Sequence, residues 1–164
     1  QVITLVRDVM SNLRPTILDD YGLESALQTY VNEFQTRYGI PVHFERQTPP
    51  LPRQDSSIEI TLLRISQEAL TNIARHAQAS QAVLSLRLNE KHVYLTIEDN
   101  GVGIPALEGA NRRRSHGLKI MQERAEALEG TLKIFSTPGK GTRIEAVIPL
   151  PPGERYTHSQ EQLS

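Results

Sequence analysis

The amino-acid sequence predicts an α+β fold, a two-layer sandwich whose mixed, mainly antiparallel sheet is covered by helices on one face. Two pairs of alternating segments, each joined by a short turn, predict β-hairpins, and amphipathic helices stand before and between them. The predicted order is helix, strand, long helix, hairpin, helix, hairpin. Because hairpins join antiparallel strands, this order disfavours a doubly wound parallel sheet.

The chain before the first hairpin begins with two helices and a short strand. Apolar residues recur at helical spacing over residues 1–14, and Pro15 ends this helix because the residue before a proline is pushed out of the α region. The helix has no visible N-terminal cap, which suggests the end of a longer helix. A turn at residues 19–22 precedes a second amphipathic helix that ends at Gly39, and residues 42–45 alternate as a strand.

The third predicted helix is the longest, and it has two distinct faces. It runs from about residue 57 to residue 77, with three candidates for its N-cap, Asp55, Ser56 or Ser57. One face is apolar, and the opposite face is a polar stripe that contains Glu68 and Asn72, which are neighbours one turn apart. Such a stripe is usually a solvated face. Asparagine is at best a moderate helix former, so its place in mid-helix beside a single acid supports a second interpretation, a functional site.

The end of the first hairpin carries a carboxylate on the face that should be buried. Val93, Leu95 and Ile97 share one face of the second strand, and continuing this alternation places Asp99 on the same face. A buried carboxylate must be hydrogen-bonded or it costs several kcal/mol, roughly, in lost solvation. Because Gly101 and Gly103 follow and let a ligand approach the backbone, the stretch is typical of a pocket floor. An Asx-type turn is the simpler alternative.

After this glycine loop, the sequence predicts a polar loop, a helix and a second hairpin. Residues 105–116 include three consecutive arginines and are expected to be mobile. Gly117 should start a helix that continues to Leu128, and Gly130 should end it. Two strands then complete the sheet, at residues 131–136 and 142–148.

Composition excludes several classes of protein. The chain has 164 residues, a net charge of -1 and no cysteine, so it fits one domain without disulfides or thiolate metal sites. The balanced charge gives no reason to expect binding to nucleic acid or to a membrane surface. No apolar run approaches the roughly 20 residues that a spanning helix needs, and no signal peptide opens the chain.

Familiar catalytic motifs are also absent. A Walker A loop would need a glycine five residues before Gly139, where Ile134 stands. The spacing of Gly101, Gly103 and Ala106 matches a loose dinucleotide fingerprint, but no β-α-β unit surrounds it. The histidines have no zinc-site spacing, and no nucleophile elbow occurs.

Four blocks of the sequence, taken together, resemble a known family. They are Gln-Glu-Ala-Leu-Thr-Asn-Ile-Ala-Arg-His at residues 67–76, Asp-Asn-Gly-Val-Gly-Ile at 99–104, His-Gly-Leu at 116–118 and Pro-Gly-Lys-Gly-Thr at 138–142. In this order they resemble the ATP-binding domain, of Bergerat-type fold, shared by histidine kinases, gyrase, Hsp90 and MutL. Within that superfamily the chain is similar to the catalytic domain of two-component sensor histidine kinases. The Leu-Arg-Pro segment at residues 13–15 and the Asp-Asp-Tyr-Gly-Leu segment at 19–23 are similar to nitrate/nitrite-type and DesK-like sensors.

The resemblance implies roles for individual residues, with ATP and Mg²⁺ as cofactors. Asp99 would accept a hydrogen bond from the adenine amino group, and Thr142 would lie beside the base. Asn72 would coordinate Mg²⁺ through its side-chain oxygen, a hard ligand for a hard cation. Glu68 would be the catalytic base that polarises the phosphoacceptor imidazole. The remaining expected nucleotide contacts are Arg75, His76, Gly101, Gly103, His116, Gly117, Leu118 and Gly141.

Two of these implied roles concern the segment after the glycine loop. Residues 105–116 would form a lid over the nucleotide. Gly117 would place a helix N-terminus at the phosphates, where free N–H groups and the helix dipole favour anions. Catalysis of phosphoryl transfer would then come mainly from positioning and charge neutralisation.

The resemblance further implies a domain division and partners outside the sequence. Residues 1–20 would be the end of the second dimerisation helix with a linker, residues 21–150 the catalytic domain, and residues 151–164 a disordered tail. In this subfamily the phosphorylated histidine lies on the first dimerisation helix, whereas the first histidine here is His43. The fragment should therefore bind ATP–Mg²⁺ as a monomer without phosphorylating itself. Its partners would be the dimerisation helices of a homodimeric parent and a response regulator, and nucleic acid is not among them.

Three alternatives remain open for the class of protein. The first is a cytoplasmic catalytic domain of a membrane-attached sensor histidine kinase. The second is an anti-sigma-type serine kinase of the same fold, against which the Leu-Arg-Pro segment argues. The third is a non-catalytic ATP-binding interaction module, which would keep Asp99 but could dispense with Glu68.

Overall fold

One five-stranded sheet with helices on one face forms the fold in the computed structural model, as the sequence predicts. The structure describes residues 15–105 and 112–152. The predicted helix over residues 1–14, residues 106–111 of the expected lid and residues 153–164 of the expected tail lie outside this part of the chain. Within residues 15–105 and 112–152, no helix combines the length and the hydrophobicity needed to cross a membrane.

The helices are α1 (Thr16–Tyr38), α2 (Ser56–Asn72), which continues into a π-helical turn (Ile73–Ala77), and α3 (Arg112–Glu126). The strands are β1 (Val42–Arg46), β2 (Ala82–Leu88), β3 (His92–Asp99), β4 (Thr131–Thr137) and β5 (Gly141–Pro149). The strand order is β1-β2-β3-β5-β4. Only the β1–β2 pair is parallel, and the other three pairs are antiparallel, so the sheet is mixed and mainly antiparallel.

The alternation of side chains in the central strands places the core on the helix-covered face. In β3, Val93, Leu95 and Ile97 are buried, and so is Asp99 at the end of the same face. The register pairs Asp99 with Ala82 on β2 and with Thr142 on β5. The predicted inward position of Asp99 is therefore confirmed, and the sheet brings Thr142 to its side.

The predicted turn at residues 19–22 is wrong except at its last residue. Residues 16–21 are helical, and only Gly22 leaves the helical conformation (φ 83°, ψ -177°), which produces a kink within α1. Pro15 at the N-cap leaves the first helical turn intact, and acidic residues such as Asp19 are favourable near a helix N-terminus. A Cβ at position 22 would lie 2.8 Å from Cδ of Arg53, so a side chain here would be both strained and crowded.

The predicted start of α3 at Gly117 is also wrong. The helix begins at Arg112, and Gly117 is buried within it. Arginine is a good helix former, so the polar run 112–114 extends the helix instead of remaining a loop. A Cβ at Gly117 would overlap Oε1 of Glu68, so this glycine lets α3 lie directly against α2.

The end of α3 differs in detail from the prediction. The helix ends at Glu126, and Glu129, not Gly130, adopts the left-handed conformation (φ 57°). The Gly130 N–H donates to Ala125 O at 2.9 Å and the Glu129 N–H to Glu126 O at 2.9 Å, which is a Schellman motif. Gly130 is required for another reason, because a Cβ there would lie 2.5 Å from Val147 O.

An arginine clamp joins α1, the loop before α2 and α2 itself. Arg53 Nε and Nη2 donate to the two oxygens of Glu59, each at 3.0 Å, and Glu59 is 1% exposed. Arg53 Nη1 and Nη2 also donate to the carbonyls of Asp19 (3.0 Å) and Leu18 (3.2 Å), which precede the kink. No local pattern in the sequence indicates this pair.

Replacing Arg53 by methionine is expected to lower the thermal unfolding midpoint by several degrees. The change leaves the buried Glu59 carboxylate without its ionic partner, and a buried charge without a partner is strongly destabilising. Arg87→Met is the control, because Arg87 pairs with Glu45 only at 3.7 Å on an exposed surface. Circular dichroism measures both midpoints, and equal midpoints for the two variants would show that the clamp does not stabilise the fold.

Candidate functional site

A narrow pocket opens between α2, α3 and the end of the sheet where Asp99 lies. Its walls are mainly aliphatic, and its polar groups are few, which is typical of small-molecule sites. The lining residues are Ala69, Asn72, Ile73, Ala77, Ile97, Asp99, Ile104, Leu118, Thr142 and Ile144. Four of the residues predicted from the sequence are therefore brought together here, namely Asn72, Asp99, Leu118 and Thr142.

Asp99 forms one wall of this pocket from the end of β3. The residue is 7% exposed, and its Oδ1 accepts a hydrogen bond from the Gly101 N–H at 2.8 Å. This bond is the Asx-type turn that the sequence offered as the simpler alternative. The two interpretations are compatible, because the turn holds the carboxylate while the same residue lines the pocket.

The glycine loop after Asp99 is held on both sides by backbone contacts. The Val102 N–H donates to Ala77 O at 2.7 Å, at the end of the π-helical turn, and a Cβ at Gly101 would overlap that same carbonyl. On the other side, a Cβ at Gly103 would lie 2.5 Å from Thr137 O. Gly101 and Gly103 therefore allow close packing of chain on chain, a role that the sequence did not reveal.

The turn between β4 and β5 also holds the glycine loop and the end of β3 in place. The Gly139 N–H donates to Val102 O at 2.8 Å. A Cβ at Gly141 would overlap the carbonyl oxygen of Asp99, so this glycine lets β5 lie directly beside the end of β3. The predicted residue Gly141 thus contacts the backbone of Asp99 and positions it.

Sequence reasoning missed Asn100 and Ser136, which anchor the loop. Asn100 Oδ1 accepts from the Ser80 N–H (3.0 Å) and the Gln81 N–H (3.2 Å), which ties the loop to the segment after α2. Ser136 Oγ accepts from the Ile104 N–H at 2.7 Å. The alternation that identified Asp99 also places Ser136 on the inward face of β4 with Leu132 and Ile134, so the signal for Ser136 was present in the sequence.

The polar stripe of α2 packs against α3 instead of facing solvent. Glu68 and Asn72 are half-buried, and the Glu68 carboxylate lies against the backbone of Gly117. Asn72 Nδ2 is buried and has no hydrogen-bond partner among the described residues. A buried amide without a partner is unusual and points to a ligand at this side chain.

Two arginines influence each other near this stripe, Arg64 on α2 and Arg124 on α3. Burial lowers the pKa of Arg64, and the charge of Arg124 on α3 lowers it further. Arg64 Nη1 donates to Gln67 Oε1 at 3.0 Å. Guanidinium groups keep their charge in proteins, so two positive charges stand near the contact between α2 and α3.

Three further predicted residues, Arg75, His76 and His116, do not line the pocket. Arg75 is exposed and His76 is half-buried in the π-helical turn, and His116 is exposed on α3. No group of three or more acidic or histidine side chains that could hold a metal occurs in residues 15–105 and 112–152. A metal ion at Asn72 would therefore need ligand atoms from a bound molecule. The amide oxygen of Asn72 fits such a role, because a hard cation prefers oxygen ligands.

The fold and the pocket define a class of protein, an α+β sandwich with a small, mainly aliphatic pocket between its helices and one end of its sheet. Residues 57–152 match the family described as histidine kinase-, DNA gyrase B-, and HSP90-like ATPase. The chain belongs to this family. Membership implies that the chain binds ATP.

Three sensor proteins are similar to the chain over most of its length. The chain is 34% identical over 157 residues to the nitrate/nitrite sensor protein NarX of Escherichia coli (strain K12), a match that covers 94% of this chain and 25% of that protein. It is 36% identical to the oxygen sensor histidine kinase NreB of Staphylococcus carnosus (strain TM300), covering 88% and 41%. It is 33% identical to the sensor histidine kinase LiaS of Bacillus subtilis (strain 168), covering 95% and 42%. The chain thus spans less than half of the length of each of these relatives.

Solved structures support the fold. The histidine kinase domain of the blue-light activated histidine kinase EL346 of Erythrobacter litoralis superposes with a TM-score of 0.58 at 24% identity, covering 76% of this chain and 59% of that chain. A further structure of EL346 gives a TM-score of 0.60 at 23% identity, covering 76% and 44%. The predicted Bergerat-type fold is confirmed.

Proposed function

We propose that this chain is the ATP–Mg²⁺-binding catalytic domain of a sensor histidine kinase, which transfers the γ-phosphoryl group of ATP to a histidine on a dimerisation helix. The observation that carries the proposal is the buried Asp99 carboxylate in the wall of a mainly aliphatic pocket. The relatives are named as a sensor protein and as sensor histidine kinases, which supports the choice of substrate class.

Adenine recognition follows from the chemistry of the pocket wall. The Asp99 carboxylate accepts a hydrogen bond from the exocyclic amino group of adenine, and Thr142 lies beside it across the β3–β5 pair. Aliphatic residues of the π-helical turn and of β5, such as Ile73 and Ile144, contact the faces of the base. Guanine presents an oxygen where adenine has its amino group, so Asp99 would face an acceptor and the site would reject it.

In this proposal the phosphates of the nucleotide lie near α2. Asn72 would hold Mg²⁺ through its amide oxygen, a hard ligand suited to a hard cation. Mg²⁺ bound there would neutralise charge that develops on the transferred phosphoryl group. Glu68, one turn earlier, is the proposed base for the phosphoacceptor imidazole. Arg75, His76 and His116 would add positive or polar groups near the phosphates.

Replacing Asn72 by alanine is expected to weaken ATP binding only when Mg²⁺ is present. Losing a ligand worth about 1.4 kcal/mol raises the dissociation constant roughly tenfold. Isothermal titration with ATP in Mg²⁺ and in EDTA separates the two conditions, and Asn32→Ala on the exposed surface of α1 is the matched control. An equal loss of affinity in both conditions would show that Asn72 acts on the nucleotide without the metal.

The partners of the domain are part of the same proposal. The dimerisation helices of the parent kinase supply the substrate histidine, the parent acts as a homodimer, and a response regulator receives the phosphoryl group. The parent is attached to the membrane while this domain is cytoplasmic. These statements follow from the sequence resemblance to two-component sensor histidine kinases, the class named for the relative LiaS.

Transfer to a separate helical fragment tests the catalytic proposal. The chain is mixed with the dimerisation helices of its parent and ATP labelled at the γ-phosphorus. The proposal predicts an acid-labile, alkali-stable phosphohistidine on the helices, which Glu68→Gln reduces sharply while ATP still binds. Bound ATP without any labelled histidine would indicate a non-catalytic module, and acid-stable label on serine would indicate a serine kinase.

A further inference from the structure

The kink at Gly22 divides α1 into two segments that are attached to the domain in different ways. The segment after the kink belongs to the core, with the buried side chains Leu23, Ala26, Leu27, Val31 and Phe34. Among residues 16–21, by contrast, only Leu18 is buried, and Ile17 is half-buried. Packing alone therefore holds residues 16–21 weakly, although the chain before Pro15 enters the domain through them.

Arg53 supplies a second attachment for this short segment. The last carbonyls of a helical segment are the groups that a nearby basic side chain can cap. Arg53 Nη1 donates to Asp19 O at 3.0 Å, and its Nη2 donates to Leu18 O at 3.2 Å. A positive charge at this end is also favourable to the helix dipole. Arg53 therefore caps residues 16–21 from a loop that lies 34 positions further along the chain.

The same guanidinium is fixed to the helix that carries the proposed catalytic residues. Its Nε and Nη2 donate to the two carboxylate oxygens of Glu59, each at 3.0 Å, and Glu59 is a buried residue of α2. The Gln54 N–H donates to the same carboxylate at 3.0 Å. A bidentate pair between planar groups has a defined orientation. The arginine clamp thus sets the direction of residues 16–21 relative to α2, on which Glu68 and Asn72 lie.

We infer that Arg53 is a positioning residue for phosphoryl transfer, because it fixes the direction in which the upstream chain enters the domain. The inference rests on the proposed function, in which the phosphoacceptor histidine lies upstream of this chain and must reach Glu68. Thr16 is six residues from the kink, roughly 9 Å along a helix, so a change of direction at Gly22 moves the upstream chain by several ångströms, roughly. Gly22 leaves room for the clamp, since a Cβ there would lie 2.8 Å from Arg53 Cδ.

Distance measurements between two spin labels test the positioning without catalysis. The chain has no cysteine, so Thr16→Cys and Glu90→Cys place labels at the exposed start of α1 and in the exposed turn between β2 and β3. With Arg53 present we expect one narrow distance distribution by pulsed electron paramagnetic resonance. Arg53→Met should widen this distribution at least twofold. Arg87→Met, which removes an exposed arginine from a 3.7 Å surface pair, should leave the width unchanged.

A double variant separates positioning from stability. Arg53→Met alone leaves the buried Glu59 carboxylate without its ionic partner, whereas adding Glu59→Met replaces the whole pair by apolar side chains, which is often neutral for stability. The double variant should recover most of the unfolding midpoint and still give the wide distribution, because the donors to the carbonyls of Leu18 and Asp19 are absent. A narrow distribution in this variant would overturn the inference.

Phosphoryl transfer in the parent kinase tests the consequence for catalysis. In the double variant the affinity for ATP should stay within about twofold of the wild type, because neither residue lines the pocket. The rate of phosphohistidine formation should fall at least tenfold, since a misplacement of about 1 Å can cost on the order of 100-fold. Arg87→Met should change neither quantity.

An unchanged or higher rate in the double variant would overturn the inference. Failure of the proposed function would look different, because the parent kinase with its wild-type residues would then form no phosphohistidine at all. The distance distributions would in that case still decide whether Arg53 fixes the entry of the chain.

Discussion

Asp99→Asn should weaken ATP binding roughly 10- to 100-fold, the value of a charged hydrogen bond of about 1.5–3 kcal/mol. Asparagine has the same shape and keeps an oxygen for the Gly101 N–H, which Asp99 Oδ1 accepts at 2.8 Å. With that oxygen occupied, its amide nitrogen would face the adenine amino group, donor against donor. The variant should therefore remain folded while it loses its ligand. Calorimetric titration measures the affinity, and the unfolding midpoint checks the fold.

The preceding residue provides a matched control for this prediction. Glu98 is on the opposite, exposed face of β3 and pairs with Arg143 at 3.8 Å. Glu98→Gln removes the same charge from the same strand without touching the pocket, so its affinity for ATP should equal that of the wild type. If Glu98→Gln and Asp99→Asn lose affinity equally, the effect comes from overall charge and Asp99 does not read the base.

Gly141→Ala is expected to cause the second large effect, on both stability and binding. The residue has φ +95°, and an added Cβ would overlap the carbonyl oxygen of Asp99. The left-handed backbone costs an alanine about 1–2 kcal/mol, and forced overlap in a packed region costs about 1–3 kcal/mol. The free energy of unfolding should fall by about 2–5 kcal/mol, and ATP affinity should fall because the wall that carries Asp99 is displaced. Chemical denaturation measures the first quantity.

Gly139→Ala separates the two causes of that effect. Gly139 also has a left-handed backbone (φ +77°), but nothing lies within 4 Å of an added Cβ. This variant should lose only the backbone contribution, about 1–2 kcal/mol, and should bind ATP as the wild type does. Equal losses in the two variants would mean that contact between β5 and the carbonyl of Asp99 does not position the pocket.

Local patterns in the sequence were sufficient to predict the sheet and the inward position of Asp99. The alternation of β3 is a property of neighbouring residues, and it continues without interruption from Val93 to Asp99. The same is true of the cap of α2, where Asp55 accepts from the Ser57 N–H at 2.8 Å, one of the three predicted candidates. Such features depend on a few adjacent residues, so they can be recognised in the amino-acid sequence without knowledge of the fold.

Contacts between distant segments account for what the sequence did not reveal. Gly117 was expected to start a helix because glycine commonly marks helix ends, yet its role is to let α3 approach Glu68, 49 positions earlier in the chain. Arg53 pairs with Glu59 and also donates to a backbone carbonyl of α1. Ser136 Oγ accepts from the N–H of Ile104, a residue of the distant glycine loop. No periodicity or turn motif reports such pairs. They become visible only when the strand order and the helix packing are known.

The central claim is that the pocket between α2, α3 and the end of β3 is the ATP site. Heteronuclear NMR spectra of the labelled domain, recorded with and without ATP–Mg²⁺, test it most directly. Saturable shifts are predicted for the backbone amides of Gly101 and Thr142 and for the side-chain amide of Asn72. Thr96, on the opposite face of the sheet, should not shift. Shifts confined to that opposite face, with Gly101, Thr142 and Asn72 unchanged at saturating ATP–Mg²⁺, would contradict the claim.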